Sequence, residues 1–349
     1  MLVDKLFGKK MVKCAKVEKR RGEATRQKLI AAGVFDPSFV PEADESYVYF
    51  AVKKPVKGVK LVERKLRSRE IKFRSIQEAL RGKLSERELE EVVRSFDVVG
   101  DVAVVEIPPK LERKEKLIAE AIMEVHRNVK AVARKMGPME GEFRVRKLKV
   151  IAGEKRTLTV YKEHGARMKV DLAKAYFSPR LAFERKRVAE KVRKGEKILV
   201  MFAGVGPFAL VIARKQPNVE IAAVELNPEA VKLMRENVEM NGLREVVKVV
   251  LGDVHEVVPK KFVKWADRIL MPLPMGAHEF LAEAFLAARK GCVVHFYHFG
   301  PMGKAAGEAK KLVKAAARKA GRKAEFLDER VVRPYSPQTE QAVVDFKIR

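Results

Sequence analysis

From Lys197 to the C-terminus the chain alternates short apolar runs with amphipathic stretches. The runs are KILVMFAG, VEIAAVEL, VVKVVLGDV, DRILMPL and CVVHFYHF. Such near-continuous runs, rich in Val, Ile and Leu, predict strands buried on both faces of a sheet. The segments between them, among them NPEAVKLMRENVEMNG and HEFLAEAFLAARKG, repeat at helical spacing. Five helix-separated strands followed by AEFLDERVV and QAVVDFKI predict an α/β fold, a doubly wound sheet with an antiparallel finish.

The N-terminal part has a different pattern. A strand opens at Met11, a basic helix runs from about Gly22 to Ala32, and the strand SYVYFAV follows a Pro-containing loop. Together they predict a small α/β module, with residues 1–10 a dispensable extension. The next stretch, KKPVKGVKLVERKLRSREIKFRS, is weakly periodic and heavily basic, and reads as a linker from about Pro55 to Lys72. A second, α+β unit begins with one helix over SIQEALRGKLSERELEEVVRSF and a β segment DVVGDVAVVEIP that turns at VGD. A long amphipathic helix is predicted from about Arg113 to Met136, with Leu117, Ile118, Ala121, Ile122 and Val125 on one face. Strands EFRVRKLKVIAG, RTLTVYKEHG and RMKVDLA precede a helix with Ser178 as N-cap, Pro179 at its first position and Gly195 ending it. The expected division is 1–62, a linker at 63–72, 73–185 and 186–349.

Charge narrows the function classes. The chain has 74 Lys and Arg against 46 Asp and Glu, a formal net charge of +28. A thermophile-like surface accounts for many charges but not for that imbalance, so a nucleic-acid partner is expected. Cys14 and Cys292 form no CxxC pair, which suggests neither a metal site nor a disulfide framework. No apolar run reaches the ~18 to 20 residues of a membrane span, and the start resembles no signal peptide. A cytoplasmic protein without a membrane partner is expected.

The candidate chemistry begins after the first buried strand, in FAGVGPFAL, where Gly204 and Gly206 allow a tight turn against a ligand between Phe202 and Phe208. Glu225 ends the second strand, where an acid can accept both hydroxyls of a ribose. Asp253 ends the third, beside the expected base, and MPLP ends the fourth. Each could be a turn, cap or strand-end residue. In register, and without the third glycine of a dinucleotide fingerprint, they predict S-adenosylmethionine rather than NAD.

Taken with GEFRVRKL, AGEKRTLTVYKEHG, VDLAKAYFSPRL, MFAGVGPF, LMPLPMGAHEFL and VVRPYSPQTEQAVVDFKI, the chain resembles the archaeal and eukaryotic type of tRNA (guanine37-N1) methyltransferase from about Met11 to Arg349. The resemblance implies a small domain touching the tRNA elbow, a middle domain closing over the anticodon and a class I, Rossmann-like methyltransferase domain. It also implies a monomer. By motif it assigns Glu184 as the base that removes the N1 proton and Arg144 as the cation that stabilises charge on O6. Tyr176, Arg180, Arg185, Pro272 and Pro274 fall at the substrate pocket, and Phe202, Gly204, Gly206, Phe208, Glu225 and Asp253 at the cofactor. From spacing alone, Arg180 and Glu184 could be an ordinary i,i+4 ion pair, and Arg144 an outward residue on a strand shared with Arg146.

Two positions depart from the family pattern. Val200 stands where an acid usually precedes the glycine loop, and Pro272 where the fourth strand usually ends in Asn. Val200 suggests weaker cofactor affinity, to be regained in Val200→Asp. Lost polar groups near the methionine end also leave room for a wybutosine-pathway activity, either aminocarboxypropyl transfer or C-methylation of modified G37.

Overall fold

A computed structural model describes residues 9–68, 73–92, 95–141, 143–273 and 275–349. It divides into two compact units, Met1–Ala79 and Leu80–Arg349.

The first unit is a four-stranded antiparallel sheet of order β2-β3-β1-β4. It comprises β1 (Lys9–Glu18), helix α1 (Gly22–Ala31), β2 (Glu42–Ala43), β3 (Tyr47–Ala51) and β4 (Lys60–Arg67). Leu29 of α1 is buried with Ala15, Val17, Phe50 and Val52, while Cys14, Tyr49, Ala51 and Leu66 form a second apolar cluster. The supposed linker therefore contains a strand, β4, at its centre. β4 pairs with β1 from Lys9↔Arg67 to Lys16↔Lys60. Lys9 and Lys10, expected in the extension, belong to that pairing too; residues 1–8 of the expected extension lie outside the described residues, as do 69–72 of the linker.

The expected helix at 75–96 is two short ones, α2 (Ile76–Leu80) and α3 (Glu86–Glu91). Gly82 at φ 76° breaks the path, and a Ser85–Glu88 capping box restarts it. The hairpin β5 (Asp97–Val99) and β6 (Val102–Val105) follows as expected. The predicted long helix stops early: α4 covers Glu115–Val125, and the chain then becomes strand β7 (Ala131–Glu140), parallel to β6. β8 (Val145–Gly153) completes this sheet, and β9 (Leu158–Glu163) and β10 (Ala166–Asp171) form a separate hairpin.

After a 3-10 turn at Pro179–Leu181 comes α5 (Ala182–Lys191). Ser178 makes no side-chain cap, and Val192 rather than Gly195 is the C-cap. The remaining elements are β11 (Lys197–Val200), α6 (Pro207–Lys215), β12 (Glu220–Glu225), α7 (Pro228–Met240), β13 (Val247–Leu251) and α8 (Val254–Lys261). They continue through β14 (Ala266–Met271), α9 (Leu281–Ala287), β15 (Ala288–Pro301), α10 (Ala305–Lys319), β16 (Ala324–Ser336) and β17 (Thr339–Ile348).

The seven-stranded sheet has order β13-β12-β11-β14-β15-β17-β16, with β17 antiparallel to both neighbours. The strand order reverses between β11 and β14, which opens a ligand crevice at their C-terminal ends. Alternation along each strand fills two cores. Ile198, Val200, Ile221, Ala223 and Leu270 face one; Leu199, Ala222, Val224, Ile269 and Met271 face the other. The first core also takes in Val99, Val102, Ala131, Met168 and Val170. Residues 80–185 thus share a core with the large sheet, so the compact unit continues across the expected boundary at 185/186.

Candidate active site

The loops at the C-terminal ends of β11 to β14 border a cleft of about 360 Å³. Phe202 adopts φ 55° and Gly204 φ 57°, left-handed conformations that hold the loop against Glu225. Glu225 Oε2 accepts the Gly204 N–H at 2.7 Å and Oε1 accepts the Asn227 N–H at 2.8 Å. Burial raises the Glu225 pKa above its ordinary 4.5, and the backbone hydrogen bonds pull the other way. Asp253 lines the same cleft while capping α8 through the His255 N–H at 2.8 Å, so its structural and candidate binding roles coexist.

Around these carboxylates the wall is apolar: Val224, Leu226, Val254, Leu273 and Phe280. A narrow apolar slot with acids placed for hydroxyl and amino groups fits S-adenosylmethionine. Because a ribose would donate to ionised Glu225, affinity for S-adenosylhomocysteine should weaken on acidification already above pH 4.5. Calorimetric titration between pH 8 and 5 would show this, and Glu225→Gln should flatten the profile.

Gly206 and Phe208 do not line the cleft. Gly206 serves the turn at φ 87°, where a Cβ would stand 2.9 Å from Met234 Cγ, and Phe208 is buried in α6 with its ring 6.1 Å from that of Tyr297. Val200 is 1% exposed within the first core and faces no cleft, so the position gives no structural support to a carboxylate that grips cofactor.

A second, more polar cleft of about 400 Å³ adjoins the first, lined in part by Lys135, Arg146, Arg180 and Arg333, with Asp97 and Glu106 opposing them. Among the described residues, three border both clefts: Arg144, Tyr176 and Tyr335. Arg144 precedes β8 in a turn at φ 50° and so does not follow the strand alternation expected of it. Its Nη2 donates to the Met275 carbonyl at 2.5 Å, which ties the β7–β8 turn to the loop after β14. Burial raises the Tyr176 pKa, opposed by nearby Arg333. Pro272 lines the first cleft; Pro274 lies outside the described residues.

Arg180 and Glu184 do not pair. The 3-10 turn breaks the i,i+4 geometry, and Arg180 Nε instead donates to Asp97 Oδ1 at 2.7 Å. Arg185, expected at the substrate, is 1% exposed and doubly bonded to Glu163, with Nη2 to Oε2 at 2.7 Å, which makes it a structural cation. Glu184 is also 1% exposed and borders neither cleft. Its Oε2 accepts from Arg187 Nε at 2.9 Å and from the Tyr297 hydroxyl at 3.0 Å. Among the described residues its Oε1 has no hydrogen-bond partner and lies 3.4 Å from Arg330 Nε, itself without one there.

Sequence reasoning assigned no role to Tyr335, Phe299, Arg333, Phe280 or Glu279. VVRPYSPQTEQ holds Arg333 and Tyr335, MGAHEFL holds Glu279 and Phe280, and Phe299 closes the apolar run CVVHFYHF, so the aromatics of these stretches were the available signal.

Residues 159–326 match the TRM5/TYW2 methyltransferase domain, 76–157 the TYW2 N-terminal domain and 14–60 the tRNA methyltransferase 5 N-terminal domain. The tRNA (guanine(37)-N(1))-methyltransferase Trm5b of Pyrococcus abyssi is 40% identical over 97% of this chain and 99% of that one, and its crystal structure aligns with a TM-score of 0.72. A complex of aTrm5 with tRNALeu is 34% identical over 96% of this chain and 99% of that one, at a TM-score of 0.71. The tRNA(Phe) (4-demethylwyosine(37)-C(7)) aminocarboxypropyltransferase of Pyrococcus horikoshii is 31% identical over 81% of this chain and 99% of its own.

Proposed function

The chain belongs to the archaeal and eukaryotic family of tRNA (guanine37-N1)-methyltransferases, and from that premise we infer that it transfers the methyl group of S-adenosylmethionine to N1 of guanosine 37, 3′ of the anticodon. The observation that carries the choice within the wider TRM5/TYW2 group is the match of residues 14–60 to the tRNA methyltransferase 5 N-terminal domain. Incubation with labelled S-adenosylmethionine should place label in a G37 transcript and none in its G37→A counterpart. Equal labelling of both would overturn the reading.

Glu225, Asp253 and the Gly204 turn would hold the cofactor, which when bound supplies an electrophilic methyl group. Guanine N1 is protonated at neutral pH, so its proton must leave as charge moves toward O6. Arg144, anchored at the junction of the clefts, is positioned to stabilise that oxygen. Glu184 is the proposed proton acceptor; because it is buried and borders neither cleft, it must become exposed to the base, and Arg330 must move off Oε1, when RNA binds for it to serve. Glu184→Gln should slow single-turnover transfer about 10²-fold, the lower end of what a positioned base contributes, with tRNA affinity little changed. A wild-type rate would remove Glu184 from that role.

The excess of cations supports tRNA as the partner; the family resemblance, rather than the charge, is the ground for placing the N-terminal unit at the elbow and for a cytoplasmic monomer. Among the described residues no helix is long and apolar enough to cross a membrane.

A further inference from the structure

We propose that Tyr335 is the platform on which the target base stacks when it enters the site, an inference that rests on the reading of the clefts given above. A methyl acceptor must present its reacting edge to the cofactor cleft while its sugar and phosphates leave through another opening. The neighbouring cleft suits that exit, with Lys135, Arg146, Arg180 and Arg333 against Asp97 and Glu106. The base then belongs at the junction, bordered by Arg144, Tyr176 and Tyr335.

Tyr335 is built to receive a flat ligand. It lies on β16, 45% exposed, and its ring is backed by Phe299 at 4.4 Å between centroids with 37° between planes. The Arg333 guanidinium stands 5.9 Å from the ring centroid, and Arg333 Nε is held by Gln341 Oε1 at 3.0 Å; Gln341 is 1% exposed. The ring is therefore supported by fixed neighbours while nearly half of the residue remains open to solvent. A base has the complementary flat face, and stacking on an aromatic ring holds any base regardless of its edge. Tyr335 would thus keep the base out of the anticodon-loop stack, while Arg144 reads O6.

The test uses full-length protein and a tRNA carrying 2-aminopurine at position 37, whose fluorescence falls on stacking, alongside single-turnover methylation of the G37 transcript. Wild type should quench the probe. Tyr335→Leu and Tyr335→Ala should lose most of the quench and methylate about 10- to 100-fold more slowly at saturating tRNA and cofactor. S-adenosylhomocysteine affinity should stay within about threefold. Tyr335→Phe should retain the quench and most of the rate. Quench and rate preserved in Tyr335→Leu would overturn the proposal. So would Tyr335→Phe failing as badly as Tyr335→Leu, or a Tyr335→Leu defect that extra cofactor abolishes. Having two small-side-chain variants guards against one that does not fold. Absence of 1-methylguanosine from wild type would instead count against the parent reading, and the quench, which needs no methyl transfer, would still decide the stacking.

Discussion

Replacing Arg144 by alanine should lower single-turnover methyl transfer about 10²–10³-fold at saturating tRNA and cofactor, the loss expected when one donor to a developing oxyanion is removed. The argument begins with backbone placement. Arg144 sits in a left-handed turn, bonds the Met275 carbonyl and borders both clefts. One hydrogen bond to that carbonyl leaves further N–H donors of a planar guanidinium for the substrate. Pro272 offers no side-chain donor on the adjoining wall, and Arg144 is the one Arg or Lys that lines the first cleft among the described residues. Arg144→Lys should recover only part of the rate, because a lysine cannot hold the loop and face O6 with a fixed fork. A wild-type rate in Arg144→Ala would show that O6 is stabilised elsewhere.

Removing Arg187 should have the largest effect on stability. It is 9% exposed and bonds Glu184 through Nε and Asp345 through Nη1 at 2.6 Å. Asp345 is joined further by Lys191 at 2.8 Å and by His295 Nδ1 at 2.7 Å. Arg268 can only donate, so its contact at 2.8 Å makes His295 Nε2 an acceptor and leaves the proton on Nδ1, directed at Asp345. Arg187→Leu leaves two buried carboxylates short of their cation, and chemical denaturation should show a loss of about 3–5 kcal/mol. Arg187→Leu combined with Asp345→Leu should lose less than the sum of the single changes. Strict additivity would mean that the two do not act as a pair.

The same network sets an acid limb. Burial lowers the His295 pKa, partly opposed by Asp345, so the folded chain resists a proton that an unfolded histidine takes up near pH 6.5. Stability should fall as pH drops below that value. Burial alone would raise the Asp345 carboxyl, but Arg187 and the His295 hydrogen bond hold it well below the ordinary carboxylate range. Its contribution is fully present above the unfolded value of about 3.9 and is lost as pH falls below it, which steepens the limb. Stability constant from pH 7 to pH 5 would contradict the neutral, buried His295.

The expectations that held were those carried by local pattern. Strands β11, β12, β14, β15 and β17 announce themselves as largely apolar runs inside the sheet, and Glu225 does so by closing β12, whereas the edge strand β16 has no fully buried residue. The failures came where distant residues decide. β4 has charged residues through its length and only Leu66 fully buried, so its strand state comes from pairing with β1 some fifty residues away. β7 carries on the apolar content of α4, and its parallel pairing with β6 makes it strand. At the site, helical spacing put Arg180 and Glu184 on one face, but a 3-10 turn separates them. Tyr335 reaches the clefts on a strand whose neighbours are set by the sheet, and sequence distance gives no hint of its approach to Tyr176.

The most direct test of the account is mass spectrometry of the nucleosides released from a G37 tRNA transcript after incubation with the protein and S-adenosylmethionine. The account predicts 1-methylguanosine located at position 37. A nucleoside carrying the larger aminocarboxypropyl group, or unmodified guanosine at that position, would contradict it.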